Sequence, residues 1–504
     1  MNPQIWILAA GRLLSQVGTG FTLFYAAIFF VNQVGLSATA VGIALGSQSV
    51  SGVLGRFWGG AGADSPRWGR KRMLILAALC SALADGVLAI APNFPLLLLG
   101  NIWMGLGGGL YWPATEAMVA DLTTDAQRSE AFAITRMADM LGLSLGTVLA
   151  GQWIAWSGNY RLLFVLDGVS FVLFGLLITV AIQETRPAQL RQASGQQWQR
   201  AFQDRILLGY CAVNVLFTGA IAQIQSTVPL YLTNFVRSGN VTPTLLSGLV
   251  TYHTVLAALL QLPVARRLNR LSRWQALRLS MLLWTGSFLG VWLTGISTGR
   301  AITLATLSFS LLALAVITYT PSASALVVEL APEELRGIYL SLNSQCWAVG
   351  YFIGPLVGGW AMDQPAAIAH GLWPVGAGLT LLGFGWLGFL ARQQAAQHQQ
   401  LKALVLQAAG ACEAKDAKAF AALFTPDGEI QLPQQQIQGR AAIAAITQDY
   451  LASCGPITIE VQQVKVTGGD RAHVRWQWSE PGKQRLNQLE LRFEARQIQR
   501  WQEF

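Results

Sequence analysis

Long apolar stretches separated by short polar ones dominate the pattern of this chain. A helix needs about 20 predominantly apolar residues to cross the roughly 30 Å hydrocarbon core of a bilayer, and stretches of that length recur up to residue 392. The pattern predicts about twelve membrane-spanning helices, here numbered spans 1 to 12. We expect them at 5–31, 38–62, 73–91, 95–120, 129–155, 162–182, 206–235, 244–265, 274–297, 301–328, 338–362 and 371–391.

Composition agrees with this interpretation. The chain is 53% hydrophobic and only 12% charged, whereas a soluble domain carries about 25% charged residues. The formal net charge of +9 arises in the apolar part, because positive and negative residues nearly balance in 401–504. We therefore expect a bilayer partner and no nucleic acid. The first apolar run is too long for a cleavable signal peptide, so we expect it to remain as span 1.

Charge in the loops predicts the orientation. Lys and Arg concentrate in the loops after spans 2, 6 and 8, and short basic loops stay on the cytoplasmic side of a membrane. The protein is therefore expected in the inner (plasma) membrane as a multi-pass protein, with both termini in the cytoplasm.

The membrane part contains an internal repeat. Residues 112–151 align without a gap with residues 320–359. The matched pairs are Pro113 and Pro321, Asp121 and Glu329, Arg128 and Arg336, Gly142 and Gly350, Gly146 and Gly354, and Gly151 and Gly359. Duplication predicts two pseudo-symmetric six-helix bundles, 1–183 and 205–392, joined by a basic cytoplasmic linker at 184–204. Such bundles typically rock about a site near the membrane midplane.

Two motifs carry a resemblance to the major facilitator superfamily over residues 1–392. The loop GAGADSPRWGRKR after span 2 resembles the family's loop signature, with two extra residues inside it, and GYFIGPLVGG in span 11 resembles a pattern common in span 5 of exporters. Departures are Thr147, where that exporter pattern has proline, and Asn101, where the family has a proton-linked arginine. The resemblance implies a gating motif and a helix-packing hinge. The gating residues are Gly60, Asp64, Gly69, Arg70 and Lys71; the hinge residues are Gly350, Gly354, Pro355, Gly358 and Gly359.

Ionisable side chains inside the spans are costly and usually functional. Five are expected in the cytoplasmic half of the membrane: Arg12, Arg56, Glu116, Arg136 and Asp139. We expect Glu116 to pair with Arg136 and to couple a proton to conformational change, with Asp139 as the second candidate. A permanent salt-bridge network that closes the cytoplasmic side is the alternative.

The repeat confines this chemistry to the first half. Glu116, Arg136 and Asp139 align with Ser324, Ser344 and Trp347. Asp85, Asp167 and His253 are expected nearer the middle or the outer half of the membrane, where Asp167 and His253 are interpreted as packing residues.

The family resemblance also implies that spans 1, 4, 7 and 10 line the substrate cavity. Aromatic walls with few polar groups suit an amphiphilic or planar compound. The candidate cavity residues are Tyr25, Trp103, Trp112, Asn214, Gln223 and Tyr319.

The chain changes character after residue 392. The polar segment 393–400 is expected to be a linker or a helix extension, followed by a soluble domain at 401–504 with helices at 401–424 and 439–452 and strands beyond them. DAKAFAALFTPDGEI, IQGRAAIAAI and RQIQRWQEF resemble the nuclear transport factor 2 and SnoaL-like superfamily. The resemblance implies an α+β cone that binds a small ligand or forms a homodimer. Asp427, His473 and Glu490 are the acid–base candidates there, without a recognisable dyad.

These features predict a secondary active transporter that exports a hydrophobic or amphiphilic small molecule by alternating access, in exchange for protons. Uptake of a metabolite, or a transporter-like sensor that signals through the tail, stays open. The five cysteines have no metal-binding spacing, and no nucleotide loop or nucleophile–base arrangement occurs in the membrane part. We therefore expect no cofactor, no metal and no enzymatic activity.

Overall fold

The computed structural model describes residues 2–63, 65, 67–185, 195–236, 241–268, 270–332, 335–432, 435–467, 471–494 and 497–503. They form long helices followed by a small sheet domain. The chain divides into two compact units: residues 1–192, 211–323 and 342–386 in the first, and residues 193–210, 324–341 and 387–504 in the second.

Long helices occupy all twelve predicted spans. Among the described residues, eleven helices are long and apolar enough to cross a membrane; span 11 falls outside that set because glycines and polar residues dilute its hydropathy. The bounds, span by span, are Pro3–Thr22, Ala38–Ala63, Gly69–Ile90, Phe94–Asp121, Asp125–Ser157, Arg161–Ala181, Arg205–Gln225, Pro243–Leu268, Arg273–Ile296, Ala301–Leu330, Arg336–Met362 and Ala366–Glu413.

Spans 1 and 7 are each interrupted near the end that lies opposite the basic loops. Span 1 continues as the short helix Ala26–Ile28 and a π-helical turn at Phe29–Gln33, and span 7 continues as Thr227–Asn234. A further short helix, Gly195–Gln203, precedes span 7. The predicted runs 5–31 and 206–235 therefore correspond to broken helices, which apolar length alone does not distinguish from continuous ones.

Glycines at repeat-related positions bring helices together in both halves. A Cβ atom on Gly146 of span 5 would lie 2.0 Å from the carbonyl oxygen of Val17 in span 1, and one on Gly354 of span 11 would lie 2.8 Å from that of Gly219 in span 7. Only glycine allows backbones to approach so closely. The two halves thus use the same glycine frame, in the contact of span 1 with span 5 and in the contact of span 7 with span 11.

Span 12 continues without interruption into the polar segment, so residues 393–400 are helical. Of the two alternatives, linker or helix extension, the segment is a helix extension. The predicted helix 401–424 is wrong in its second part. The long helix ends at Glu413, Lys415 adopts a left-handed conformation with φ 55°, and Asp416 caps a new helix at Ala417–Ala422 through the amide of Ala419.

Six strands form one sheet in the tail, in the order β2-β1-β6-β5-β4-β3. The helix Arg440–Ser453 lies between β2 and β3 in the chain, close to the predicted 439–452. The first two strands precede this helix, and the closing strand pairs in parallel with the first. The strand bounds are β1 Phe424–Leu432, β2 Gln435–Gln438, β3 Thr458–Thr467, β4 Arg471–Glu480, β5 Lys483–Glu494 and β6 Gln497–Glu503.

Aromatic side chains fill the space between this sheet and its helices. Phe420, Phe424, Trp476 and Trp501 are buried and in ring contact with one another. This aromatic core holds the tail together, because large aromatic side chains bury the most apolar area per residue.

Candidate functional site

The charged residues of the first half meet around one tryptophan. Arg12 of span 1 is 1% exposed and donates to both carboxylate oxygens of Asp139 in span 5 through one edge of its guanidinium group, with Nε 2.9 Å from Oδ1 and Nη2 on Oδ2. The Arg12 guanidinium also lies 5.5 Å from the ring centre of Trp112 in span 4. The bidentate pair fixes both side chains and joins spans 1 and 5, and the ring contact with Trp112 adds span 4.

The second ion pair is more exposed. Arg136 Nη2 lies 3.1 Å from Glu116 Oε1, and both side chains are about half exposed. The Arg136 guanidinium lies 5.0 Å from the ring centre of the same Trp112. The predicted Glu116–Arg136 pair is therefore present in this conformation, and Asp139 belongs to a separate pair with Arg12.

Arg56 does not join either carboxylate by a hydrogen bond. Its Nη1 donates to Ser344 Oγ of span 11 at 2.8 Å. Ser344 is the residue that the repeat aligns with Arg136. The contact therefore joins the two halves at this depth, and a neutral hydroxyl serves as the acceptor.

The basic loop after span 2 is organised by two carboxylates that the motif does not contain. Gly69 has φ +73°, and a Cβ atom there would lie 2.5 Å from the carboxyl carbon of Glu184. The Arg70 amide donates to Glu184 Oε1 at 2.7 Å, and its guanidinium pairs with Asp121 at the end of span 4. Lys71 Nζ donates to the carbonyl of Thr179 at 2.8 Å.

This arrangement explains the glycine and the arginine of the predicted gating motif. Gly69 must adopt a left-handed conformation and leave room for Glu184, which only glycine does without strain. Gly60 has open space around its Cα. Asp64 lies outside the described residues. Glu184 was not predicted from the sequence. Asp121, the other carboxylate that contacts this loop, could have been found because the repeat aligns it with Glu329.

Spans 2 and 11 also meet at their opposite ends, away from the basic loops. Asp363, just after span 11, accepts the Ala38 and Thr39 amides at the start of span 2, each at 2.7 Å, and the Thr39 hydroxyl. A carboxylate at a helix N-terminus is favoured by both the free amides and the helix dipole. Asp363 was not predicted.

Hinge residues of span 11 line this contact. A Cβ atom on Gly359 would lie 2.2 Å from the Ala38 carbonyl oxygen, and one on Gly42 would lie 2.2 Å from the Pro355 carbonyl oxygen. Gly350 and Gly358 instead face Thr218 and Thr227 in the two helices of span 7. The glycines of the span 11 motif therefore bring this helix into close contact with both span 2 and span 7.

Three of the predicted cavity residues are buried in packed contacts. Asn214 is fully buried, donates to Asn343 Oδ1 at 2.9 Å and accepts from the Tyr319 hydroxyl at 2.7 Å. Tyr25 is 1% exposed and its hydroxyl donates to the Pro243 carbonyl. In this conformation Asn214 and Tyr319 satisfy each other, whereas Tyr25 binds a backbone carbonyl. Asn343 was not predicted.

The remaining cavity candidates differ from one another. Gln223 Nε2 donates to the Gly354 carbonyl at 3.1 Å. Trp103 is 38% exposed, and Trp112 lies between two guanidinium groups. His253 contacts the Phe309 carbonyl at 3.3 Å, as expected of a packing histidine.

The acid–base candidates of the tail lie on its surface. Asp427 and His473 are exposed. His473 sits opposite Glu490 across strands β4 and β5, and Glu490 instead pairs with Arg471 at 3.3 Å. Ala472 and Val474, on either side of His473, face the core. Burial raises the pKa of Glu503 against the effect of its hydrogen bond from Asn487.

Twelve long helices, with matching glycine contacts in both halves of the repeat, are typical of a multi-pass membrane transporter. The family model described as Major Facilitator Superfamily matches residues 8–355 and, in a second match, 236–426. The chain belongs to this superfamily. Residues 405–498 match the model of the SnoaL-like domain.

Similar proteins carry transporter names. The chain is 26% identical over 406 residues to the uncharacterized MFS-type transporter YqjV of Bacillus subtilis, covering 78% of this chain and 95% of that protein. It is 28% identical over 392 residues to the multidrug resistance protein MdtH of Salmonella newport, covering 76% and 94%.

Solved structures share the fold. The nucleoside transporter NupG superposes with a TM-score of 0.65 at 14% identity, covering 77% of this chain and 99% of that one. The peptide transporter POT in complex with sulfate superposes with a TM-score of 0.62 at 15% identity, covering 78% and 95%. At such identities these likenesses concern the fold alone.

Proposed function

We propose that this protein exports a hydrophobic or amphiphilic small molecule in exchange for protons. The observation that carries the proposal is the paired charge network of the first half, where Glu116 and Arg136 lie half exposed beside the buried pair of Arg12 and Asp139. A carboxylate that loses its arginine partner when helices move takes up a proton more readily. Glu116 therefore couples proton binding to the change of state.

Trp112 links the two ion pairs mechanically. Both guanidinium groups lie against its ring, and such cation–π contacts are worth about 0.5–2 kcal/mol depending on exposure. Protonation of Glu116 frees Arg136 to leave the ring, and the environment of Arg12 then changes as well. The two pairs act as one network, with Asp139 as the second candidate carboxylate. Arg56 joins this network to the other half through Ser344.

The direction of transport is inferred from similarity and motif. MdtH is named a multidrug resistance protein, and the span 11 motif resembles the exporter pattern. The basic loops and both termini then lie in the cytoplasm, and the Asp363 contact closes the outer side of the transporter. The inner side is controlled by the gating motif, with Asp64, Gly69, Arg70 and Lys71. Substrate binds between the halves near Trp103, Trp112 and Gln223, with Tyr25, Asn214 and Tyr319 becoming accessible as the halves separate.

The tail, with its boundary near residue 401, serves as a cytoplasmic module that binds a small ligand or pairs two copies of the chain. The exposed positions of Asp427 and His473 favour such a binding role over catalysis, because a catalytic group works best in a dry, enclosed site.

The test is accumulation of lipophilic dyes and antibiotics in cells that express the wild type, Glu116→Gln or Asp64→Asn, with and without a protonophore. We expect cells with the wild type to accumulate less dye than cells with the empty vector, but only while the proton gradient is intact. Cells with either variant should accumulate as much dye as cells with the empty vector. Equal accumulation in all strains would redirect the assignment to metabolite uptake or sensing. Membrane expression is checked by immunoblot.

A further inference from the structure

Two aspartates face each other deep between spans 3 and 6, apart from the Trp112 network. Asp85 is 0% exposed and Asp167 is 1% exposed. A Cβ atom on Gly168, the neighbour of Asp167, would lie 3.2 Å from Asp85 Cβ, and the two carboxyl groups interact electrostatically. The helices that carry them pack along their length.

Their carboxyl oxygens are largely unsatisfied. Neither oxygen of Asp85 nor Asp167 Oδ1 has a hydrogen-bond partner among the described residues. Asp167 Oδ2 accepts from the Thr22 hydroxyl at 2.9 Å, and the Ser170 hydroxyl donates to the backbone carbonyl of Asp167. Buried polar groups are almost always paired, so three free oxygens at one place need an explanation.

Cations on the surrounding helices are engaged elsewhere. Arg161, at the start of span 6, donates to the Ala89 carbonyl at 2.5 Å and lies over the Phe29 ring. Span 1 faces the pair with the uncharged Thr22 hydroxyl, and the buried Asn101 of span 4 donates to the Leu97 carbonyl of its own helix. The other titratable or charged residues on the described helices that pack here are Arg12, Arg56, Arg70, Lys71, Arg72, Cys80, Tyr111, Glu116 and Asp121.

Two ionised carboxylates cannot share a dry site without a cation, because desolvation and mutual repulsion both disfavour the charged forms. We propose that Asp85 and Asp167 form a proton-binding site that holds at least one proton in this conformation. The proton resides on a carboxyl oxygen and supplies the donor that the unsatisfied acceptors lack. It leaves only when spans 1, 3 and 6 separate and admit water.

The packing favours a proton over a metal ion. A single Cβ atom on Gly18 would already lie 2.1 Å from Ser170 Oγ and 2.5 Å from Asp167 Oδ1. A sodium ion needs several oxygen ligands around it, and no group of three or more His, Cys, Asp or Glu residues able to hold a metal occurs in the described part of the chain. A proton requires no additional space.

Infrared spectroscopy of the full-length protein in lipid tests the site without any transport assay. We expect a carbonyl band from a neutral carboxylic acid at neutral pH, and its loss in Asp85→Asn/Asp167→Asn. The matched control is Glu116→Gln, which alters a carboxylate that has an arginine partner, leaves the protein folded and should retain the band. An equal band in the double variant, or no band in the wild type, would overturn the proposal.

Two further measurements guard against misfolding and against the metal alternative. Dicyclohexylcarbodiimide modifies neutral carboxyl groups in apolar surroundings, and peptide mapping of the labelled wild type should find it on Asp85 or Asp167. Labelling of neither aspartate counts against the site. Addition of sodium chloride at constant pH should leave the carbonyl band unchanged. Disappearance of the band would mean that the site binds sodium and not a proton. Because none of these readouts involves transport, they can fail while Glu116 still couples protons.

Discussion

The two halves of the membrane part place different chemistry on the same helical frame. In the first half, Tyr111 lies beside the Arg12 guanidinium, which is bound to Asp139. In the second half, Tyr319, which the repeat aligns with Tyr111, donates to Asn214. At these repeat-related positions the first half therefore holds an ion pair, whereas the second holds amides and a hydroxyl.

This difference indicates a division of labour between the halves. An amide cannot change its charge at physiological pH, whereas a carboxylate released from its arginine can. The glycine contacts of spans 1 and 5 and of spans 7 and 11 are alike, so the two halves differ in side-chain chemistry and not in this helix packing. If Glu116 couples protons as proposed, proton sensitivity belongs to the first half and the second supplies a fixed counterpart.

The largest expected effect comes from removing one charge of the buried pair. Asp139→Asn leaves Arg12 buried without a counter-charge, and breaking such a pair costs about 3–5 kcal/mol. We expect a clear fall in thermal stability in detergent. The double variant Arg12→Gln/Asp139→Asn should recover much of it, and a single variant as stable as the wild type would contradict the account.

The corresponding change in the second half should lower stability without changing the pH dependence of transport. Asn214→Ala removes the acceptor of the buried Tyr319 hydroxyl and the donor to Asn343, which costs about 1–3 kcal/mol. We expect lower thermal stability and an unchanged pH dependence of transport. A shifted pH profile in this variant would end the distinction between the halves.

A smaller effect is expected at the contact that joins the halves. Asp363→Ala removes the carboxylate from the start of span 2, a loss of about 1 kcal/mol for a helix cap. That energy shifts a two-state equilibrium about fivefold, here toward separation of spans 2 and 11 at this end. Spin-label distances across the two helix ends measure the shift. Asp363→Asn, which keeps a capping oxygen, should shift less, and unchanged distances would contradict the role.

Sequence patterns could predict the helices and the repeat because these depend on apolar length and on matched glycines. The predicted span 2, 38–62, differs from Ala38–Ala63 by one residue. The bulge between Val461 and Gln463 in β3 is likewise visible in the sequence, as a change in the alternation of apolar and polar residues. Broken helices were not predicted, because the turn after Thr22 contains ordinary apolar residues.

Partners distant in sequence were harder to predict. Nothing local selects Asp139 over Glu116 as the partner of Arg12, because the choice depends on how spans 1, 4 and 5 turn toward each other. Glu184 acts through the amides of Arg70 and Lys71, and backbone donors leave no trace in side-chain chemistry. Asn214 was expected at a cavity wall, and only tertiary packing reveals that it binds another amide.

The most direct test of proton coupling by the first half is transport in proteoliposomes under an imposed pH gradient. Glu116 is half exposed, so Glu116→Gln should cost at most about 1 kcal/mol of stability and leave the protein folded. The account predicts that the gradient accelerates transport by the wild type, whereas Glu116→Gln moves the same dye down its own gradient without any response to pH. A variant that responds to the pH gradient as strongly as the wild type would contradict the central claim.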